Sequence, residues 1–487
     1  MLPLDVGVDS LVRVDVPDWP GAEVSSDEGS VLLEPPPAGT PWRTEPVPRV
    51  DSLVGSEAID ALDATAWHEA GIRGAGVKVA IFDVQWFGAD TFEALEDYAR
   101  NDCYTHRSCE APFDPLRPRY SFETGQHGVA CAEVVASIAP DAEIHLVRVN
   151  GLTTLENAVD WAVREGIDVV SMSLSFFNES FYDGTGAVSA AMDELAAGGV
   201  QMVASAGNYA QDHYADTFRD DDVDDRHEFP WGSEYLAIEL QPGPATIYLS
   251  WDEFGRACGT TDLDAYVYDQ DGNVVGRSTT EQDRDADKCE PVERPRVDAP
   301  EEGWYYLSVV RKAGAANGVR FQVLSQDGNI YRAVPEGSVT DPGSSPTVLT
   351  VGAVNAVGYL DNPPESFSST GPTASGLAKP DVLGPDGLSS SVYGSRGFFG
   401  TSAATPAVAG AVALLLSEDP RLLPEEAAER IRAHAIDLSP AWTAPMAGYA
   451  RLPAPGTDGD SGCAGGAAIA LPLVLLARRR RSRNELR

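Results

Sequence analysis

The chain has 487 residues, 43% of them hydrophobic, which is more than one ordinary domain needs and ample for a core. Lys and Arg number 35 against 75 Asp and Glu, for a formal net charge of -40. That sign repels phosphate backbones and anionic membrane surfaces, so nucleic acid is not expected as a partner and an acid-faced protein of two or three domains is.

In chain order, residues 1–51 are acidic and rich in proline, with short strand-like pieces such as 11–16, and read as a leader or propeptide remnant. SEAIDALDATAWHEAG from Ser56 predicts one capped helix ending at Gly71. GVKVAIFD predicts a buried strand from Val77 to Phe82, stopped by Asp83. IHLVRV predicts a strand ending at Val149, and in the helix that follows Thr153 and Glu156 have the spacing of a capping box. IDVVSMSLSF then reads as a strand, AVSAAMDELAAGG as a helix and VQMVASAGN as another strand. Buried strands alternating with amphipathic helices imply a parallel α/β sheet.

That alternation stops near residue 226. TIYLSW, DAYVYD, GWYYLSVV and VRFQVLS predict strands between Gly, Asp and Pro turns, a small all-β unit. PTVLTVGAVN resumes the first pattern, and PEEAAERIRAHAI closes it with Pro424 suited to a first helical position. The β unit is therefore an insertion. The expected division is an α/β domain at 52–225 and 337–440, an inserted β-sandwich at 226–336, a linker at 441–462 and a tail at 463–487.

The tail carries Cys463, an apolar stretch at 464–477 broken by Pro472, and arginines at 478–481. A spanning helix needs about 20 residues, so this reads as a processed tail in transient contact with a membrane, arginines on the cytoplasmic side. MLPLDVGVDS has neither a basic start nor an apolar run, so no export signal is visible, and either a start upstream of Met1 or an omitted leader is expected. Cys103 with Cys109, and Cys258 with Cys289, each close a short polar loop of the kind found in exported proteins; Cys131 and Cys463 are left over.

Four residues carry candidate chemistry. Asp83 ends an apolar strand, His127 opens the apolar run GVACAEVVASIA, Asn208 ends a strand, and Ser402 opens the uncharged stretch from Ala403 to Leu416. Ligands of parallel sheets bind beyond the strands' carboxyl ends. Each residue alone fits ordinary capping or turn chemistry. Together, an acid, a base, an amide donor and a hydroxyl are what acyl transfer by a serine requires: Ser402 attacks, His127 carries the proton, Asp83 holds the imidazole, and Asn208 with the Ser402 N–H stabilises the oxyanion.

The order Asp83, His127, Asn208, Ser402, with HGV, SAGN and GTSAATP around the last three, and with FSSTGP and KPDVLGP between, resembles the subtilisin-like serine peptidases. The resemblance implies a three-layer fold with a parallel seven-stranded sheet, a protein or peptide substrate, a monomer and no required cofactor. It implies that Ser173, Leu174 and Ser175 pair with substrate and that Ala204, Ser205, Ala206 and Gly207 line its cleft. Four positions depart from the pattern: Val84 and Gln85 follow Asp83 where Thr or Ser and then Gly are usual, Val129 replaces a threonine, and Ser175 replaces a glycine, which narrows the first substrate pocket. The tail is similar to the MYXO-CTERM type of sorting tail, implying export to the cell surface or medium. TTDLDAYVYDQDGN is similar to β-sandwich modules of secreted peptidases, in which calcium at residues such as Asp262 and Asp264 is expected. The rival from another class is a surface binding or adhesion protein on a weakly active scaffold, kept open by the altered surroundings of Asp83.

Overall fold

The computed structural model describes strands at 10–14, 24–26, 29–32 and 43–46, and then residues 56–456 apart from 93–94, 96–97, 119–120, 178, 255–260, 282–290, 315 and 439–447. The expected pair Cys258 and Cys289, together with Cys463 and the apolar tail, lies outside the described residues. The early segment holds β1 (Ser10–Val14), β2 (Val24–Ser26), β3 (Gly29–Leu32) and β4 (Arg43–Pro46), paired antiparallel in the order β2-β3-β1-β4. The sequence shows strand signal there only near 11–16.

The single helix expected from Ser56 is two, α1 (Ser56–Ala61) and α2 (Ala64–Glu69). Asp63 between them has φ 59°, a left-handed conformation that Asp tolerates, and its carboxylate is held by Arg451 from the far end of the chain. Next come β5 (Lys78–Asp83), β6 (Ala99–Asp102), α3 (His127–Ile138), β7 (Glu143–Arg148), α4 (Leu152–Glu165), β8 (Val169–Met172), α5 (Gly186–Ala197) and β9 (Gln201–Ser205). The cap of α4 differs from expectation. Thr154, not Thr153, accepts the N–H groups of Asn150 and Gly151 and donates to the Gly151 carbonyl.

Ten strands follow: β10 (His213–Thr217), β11 (Leu236–Leu240), β12 (Gly243–Trp251), β13 (Asp262–Tyr268), β14 (Val274–Ser278), β15 (Val292–Glu293), β16 (Arg296–Ala299), β17 (Gly303–Ala313), β18 (Arg320–Ser325) and β19 (Gly328–Ile330). One sheet runs β10-β18-β12-β15 with β16 beside β12, the other β14-β13-β17-β11-β19. Trp251, Leu249, Phe321 and Val323 of the first share one core with Ile238, Leu263, Val267 and Leu307 of the second, which makes the insert a sandwich. Strand β10 precedes the expected start at residue 226; it joins the sandwich because its register with β18, Tyr214 opposite Val323, puts Tyr214 into that core.

The chain then returns with β20 (Leu349–Asn355), β21 (Val382–Asp386), the hairpin β22 (Leu388–Ser390) and β23 (Gly394–Phe398), α6 (Thr401–Glu418) and α7 (Pro424–His434). The central sheet has seven strands in the order β21-β20-β9-β8-β5-β7-β6, and every pairing in it is parallel. Strand residues alternate between its faces: Val79 and Ile81 pack with α3 and α6, while Ala80 and Phe82 pack with α4 and α5. Three layers result, as expected. Among the described residues α6 is the one helix long and apolar enough to cross a membrane, and it is buried between the sheet and α3. The helix contributes Val408, Val412, Leu414 and Leu415, each fully buried and each worth about 1.5–3 kcal/mol in transfer from water.

Candidate active site

Asp83 is the last residue of β5, and its side chain is fully buried. Its Oδ1 accepts the backbone N–H groups of Val84 at 2.8 Å and Gln85 at 2.9 Å, and its Oδ2 lies 2.7 Å from His127 Nδ1. The usual hydroxyl donor after the aspartate is absent, but two main-chain donors do its work. These bonds hold one carboxylate oxygen in place and leave the other for the imidazole. His127 is the first residue of α3, and Gly128 behind it is required by close approach: a Cβ there would stand 2.8 Å from Asp83 Cβ. Val129, in place of a threonine, is fully buried in the core.

Burial alone would lower the pKa of His127. The Asp83 carboxylate, with a further contribution from Cys131, outweighs it and holds the imidazole well above the ordinary histidine value. With Nδ1 donating to Asp83, Nε2 is the nitrogen free to exchange a proton with a substrate or nucleophile.

Ser402 is the second residue of α6 and is half-buried. Pro406, four residues on, has no N–H to give to the Ser402 carbonyl, as the regular helix would require. That carbonyl instead accepts the Ser173 hydroxyl at 3.1 Å and faces the Cys131 thiol at 3.7 Å. The proline of GTSAATP thus frees an acceptor that ties the serine's turn to α3 and to the end of β8. The sequence carried this signal, but its use depends on partners brought from 229 and 271 residues away.

Asn208 completes the group. Its Oδ1 accepts the Thr401 N–H at 3.0 Å and the Thr401 hydroxyl at 2.9 Å, which orients the amide so that its NH2 is the end left to donate. Gly400 takes φ 105°, a conformation that favours glycine, and a Cβ there would crowd Asn208 Nδ2 at 3.0 Å. The Gly400 N–H donates to Asp386 Oδ2 at 2.9 Å. Asp386 is fully buried, and burial pushes its carboxyl up to about 7. No sequence signal marks Asp386 as a brace of the serine's loop, because the contact is tertiary.

Among the described residues no strand ladder includes Ser173–Ser175, which extend β8 past its last paired residue, Met172. Ser205 ends β9, and Ala206 and Gly207 lead from it to Asn208. Ala204 is a correction: it packs in the core on the α4 and α5 face, whereas α6 packs on the other, so it backs the wall and does not line the cleft.

Cys103 and Cys109 form a disulfide, and Cys131 is free and buried. In the insert, carboxylate oxygens of Asp262, Asp264 and Glu293 lie within 4.8 Å of one another, all three buried. Burial, with Asp264 and Asp262 close by, pushes Glu293 up to about 7, and burial raises Asp264. Three converging oxygen donors suit a hard divalent ion, and Glu293 is the member sequence reading missed. In the acidic loop at 219–225, Arg311 pairs with Asp220 and Asp225, Glu228 accepts the N–H groups of Asp221 and Asp222, and carboxylates of Asp220, Asp222 and Glu228 also converge within 4.8 Å.

Serine protease AprX of Bacillus subtilis is 36% identical over 160 residues, 29% of this chain and 33% of AprX. Subtilisin E of the same species is 35% identical over 116 residues, 24% of this chain and 29% of subtilisin E. The chain therefore spans about a third of the length of these curated relatives. Among solved structures, the Clostridium perfringens CspB protease matches with a TM-score of 0.53 at 16% identity, over 82% of this chain and 97% of that one, a likeness of fold. A family profile described as the Subtilase family matches residues 74–225 and 257–459, ranges that hold Asp83, His127, Asn208 and Ser402 and also take in most of the inserted sandwich, and this chain belongs to that family.

Proposed function

We propose that this protein is an exported serine endopeptidase. The Ser402 Oγ attacks the scissile carbonyl while its proton passes to His127 Nε2; His127 then gives that proton to the departing amine, leaving an acyl-enzyme. Water, deprotonated by the same imidazole, hydrolyses the ester and restores Ser402. Asp83 fixes the tautomer, and the Asn208 amide with the Ser402 N–H stabilises the oxyanion.

The observation that carries the reading is the 2.7 Å contact between His127 Nδ1 and a buried Asp83 whose other oxygen is held by two amides. The same observation weighs against a binding protein on a disabled scaffold, since the altered residues after Asp83 leave its carboxylate fully braced. A fluorophosphonate probe should label the purified chain, and Ser402→Ala should abolish labelling. Equal labelling of both proteins, or of neither, would defeat the proposal.

The Cys103–Cys109 disulfide supports an oxidising, extracytoplasmic location. Within this reading the chain is a monomer, its tail a sorting signal in transient contact with the membrane, and its two arms the peptidase domain around the insert. Mass spectrometry of both ends of the mature protein tests the tail: an intact 463–487 in the cell-surface or released protein would refute sorting by cleavage.

The proposed calcium ligands are Asp262, Asp264 and Glu293; calcium would neutralise their mutual repulsion and hold β13 to β15. Catalysis does not require it. Titration calorimetry should detect calcium binding that Asp262→Ala abolishes, and absence of heat in the unsubstituted protein would end the idea.

A further inference from the structure

Beyond Met172 the chain runs as Ser173–Ser175 along one side of the serine's turn, fixed there by the Ser173 hydroxyl. On the other side run Ala206–Asn208, fixed through Thr401. A peptide paired with Ser173–Ser175 sends alternate side chains to opposite faces. The side chain of the residue whose carbonyl meets Ser402 therefore enters the gap between these two segments.

Thr340 ties the two sides of that gap together. It is fully buried; its N–H donates to the Ala206 carbonyl at 3.4 Å, and its hydroxyl donates to Ser175 Oγ at 2.9 Å. The Tyr209 side chain hydrogen-bonds Ser175 as well. Immediately beyond, the Phe176 N–H donates to the Asp341 carbonyl at 2.9 Å, which locks the Thr340 segment in register against the substrate strand.

We propose that Thr340, Ser175 and Tyr209 close the recess beside Ser402, so that the enzyme accepts only glycine, alanine or serine as the residue supplying the scissile carbonyl. The inference rests on the peptidase reading and adds the substrate class. A branched or aromatic side chain would have to part the Thr340 and Ser175 hydroxyls, leaving a buried hydroxyl without its partner. Selection against bulk in a closed pocket of this kind is worth about 10²-fold in kcat/KM. Of the three residues only Ser175 was visible in sequence, as a replacement for glycine. Thr340 lies 165 residues away and across the insert.

The test uses the full chain and peptide p-nitroanilides that differ only in the residue before the anilide: Gly, Ala, Ser, Leu and Phe. Active sites are counted in parallel with a fluorophosphonate. The unsubstituted enzyme should cleave the Ala substrate about 10²-fold better than the Phe substrate, and Ser175→Gly, Thr340→Gly and the double variant should gain Phe cleavage per active site. Comparable kcat/KM for Phe and Ala in the unsubstituted enzyme would overturn the proposal, as would a double variant that labels fully and keeps the original ratio. If Thr340→Gly does not fold, Ser175→Gly and the relative rates at which Ala- and Phe-phosphonate esters inactivate the unsubstituted enzyme still decide it. Failure of any phosphonate to label Ser402 would count against the peptidase reading itself and is separable from a wrong preference.

Discussion

At residue scale the controlling fact is the proton on His127. Asp83, with Cys131, holds the imidazole's pKa well above the ordinary histidine value despite burial. A general base works only when neutral, so the acid limb of kcat/KM should lie above the ordinary histidine range of about 6.5. Asp83→Asn should lower kcat by about 10⁴-fold and move that limb downward, because the carboxylate that fixed the tautomer and favoured the proton is gone. A limb that stays put in Asp83→Asn would contradict this, and a pH–rate profile of both proteins measures it. Asp83, His127, Asn208 and Ser402 were legible in sequence because each sits where an apolar strand or helix meets its boundary, a local pattern. Cys131, Asp386 and Thr340 were not legible in their roles. They act through contacts that the fold brings together, Cys131 on the Ser402 carbonyl, Asp386 on Gly400, and Thr340 on Ser175 and Ala206, and no local pattern encodes such contacts.

At the scale of elements, local signals fixed the type of each segment better than its ends. The split between α1 and α2 at Asp63 and the move of the α4 cap from Thr153 to Thr154 both come from competing local choices that packing decides. The cap itself is open to test. Thr154 satisfies two main-chain N–H groups at the start of α4, so Thr154→Val, similar in shape but without the acceptor, should cost about 1–2 kcal/mol. Urea denaturation reads this as a lower midpoint at unchanged slope, and an unaltered midpoint would show that the cap contributes nothing. Strand β10 was missed for another reason. HYADT has weak strand character alone and becomes a strand by pairing with β18, more than a hundred residues later.

The whole molecule concentrates buried acids. Burial pushes Glu133, Asp212 and Asp386 up to about 7 and Asp341 up to about 6. An acid raised in the folded state stabilises fully below its unfolded value of about 4 and loses that contribution as pH rises through the folded value. His127, also raised, works in the same direction. His213 and His227, lowered by burial, work against stability below about 6.5, so the clean window begins there. With calcium chelated, Tm should fall as pH rises from 6.5 to 8.5, and Asp386→Asn should flatten the fall. A flat or rising Tm across that window would contradict the burial of these groups as neutral acids. The composition alone, at a net charge of -40, pointed to acidity without saying which acids are inside.

On the proposed peptidase reading, this fold makes Ser402 a nucleophile poised for acyl transfer. The most direct test is to mix the full chain with a slowly hydrolysed peptide ester carrying alanine at the acyl position, quench in acid, and locate the mass adduct by peptide sequencing. One acyl group is expected on the Ser402 hydroxyl, absent in Ser402→Ala and accumulating far more slowly in His127→Ala. No adduct on the folded protein, or an adduct on another residue, would contradict it.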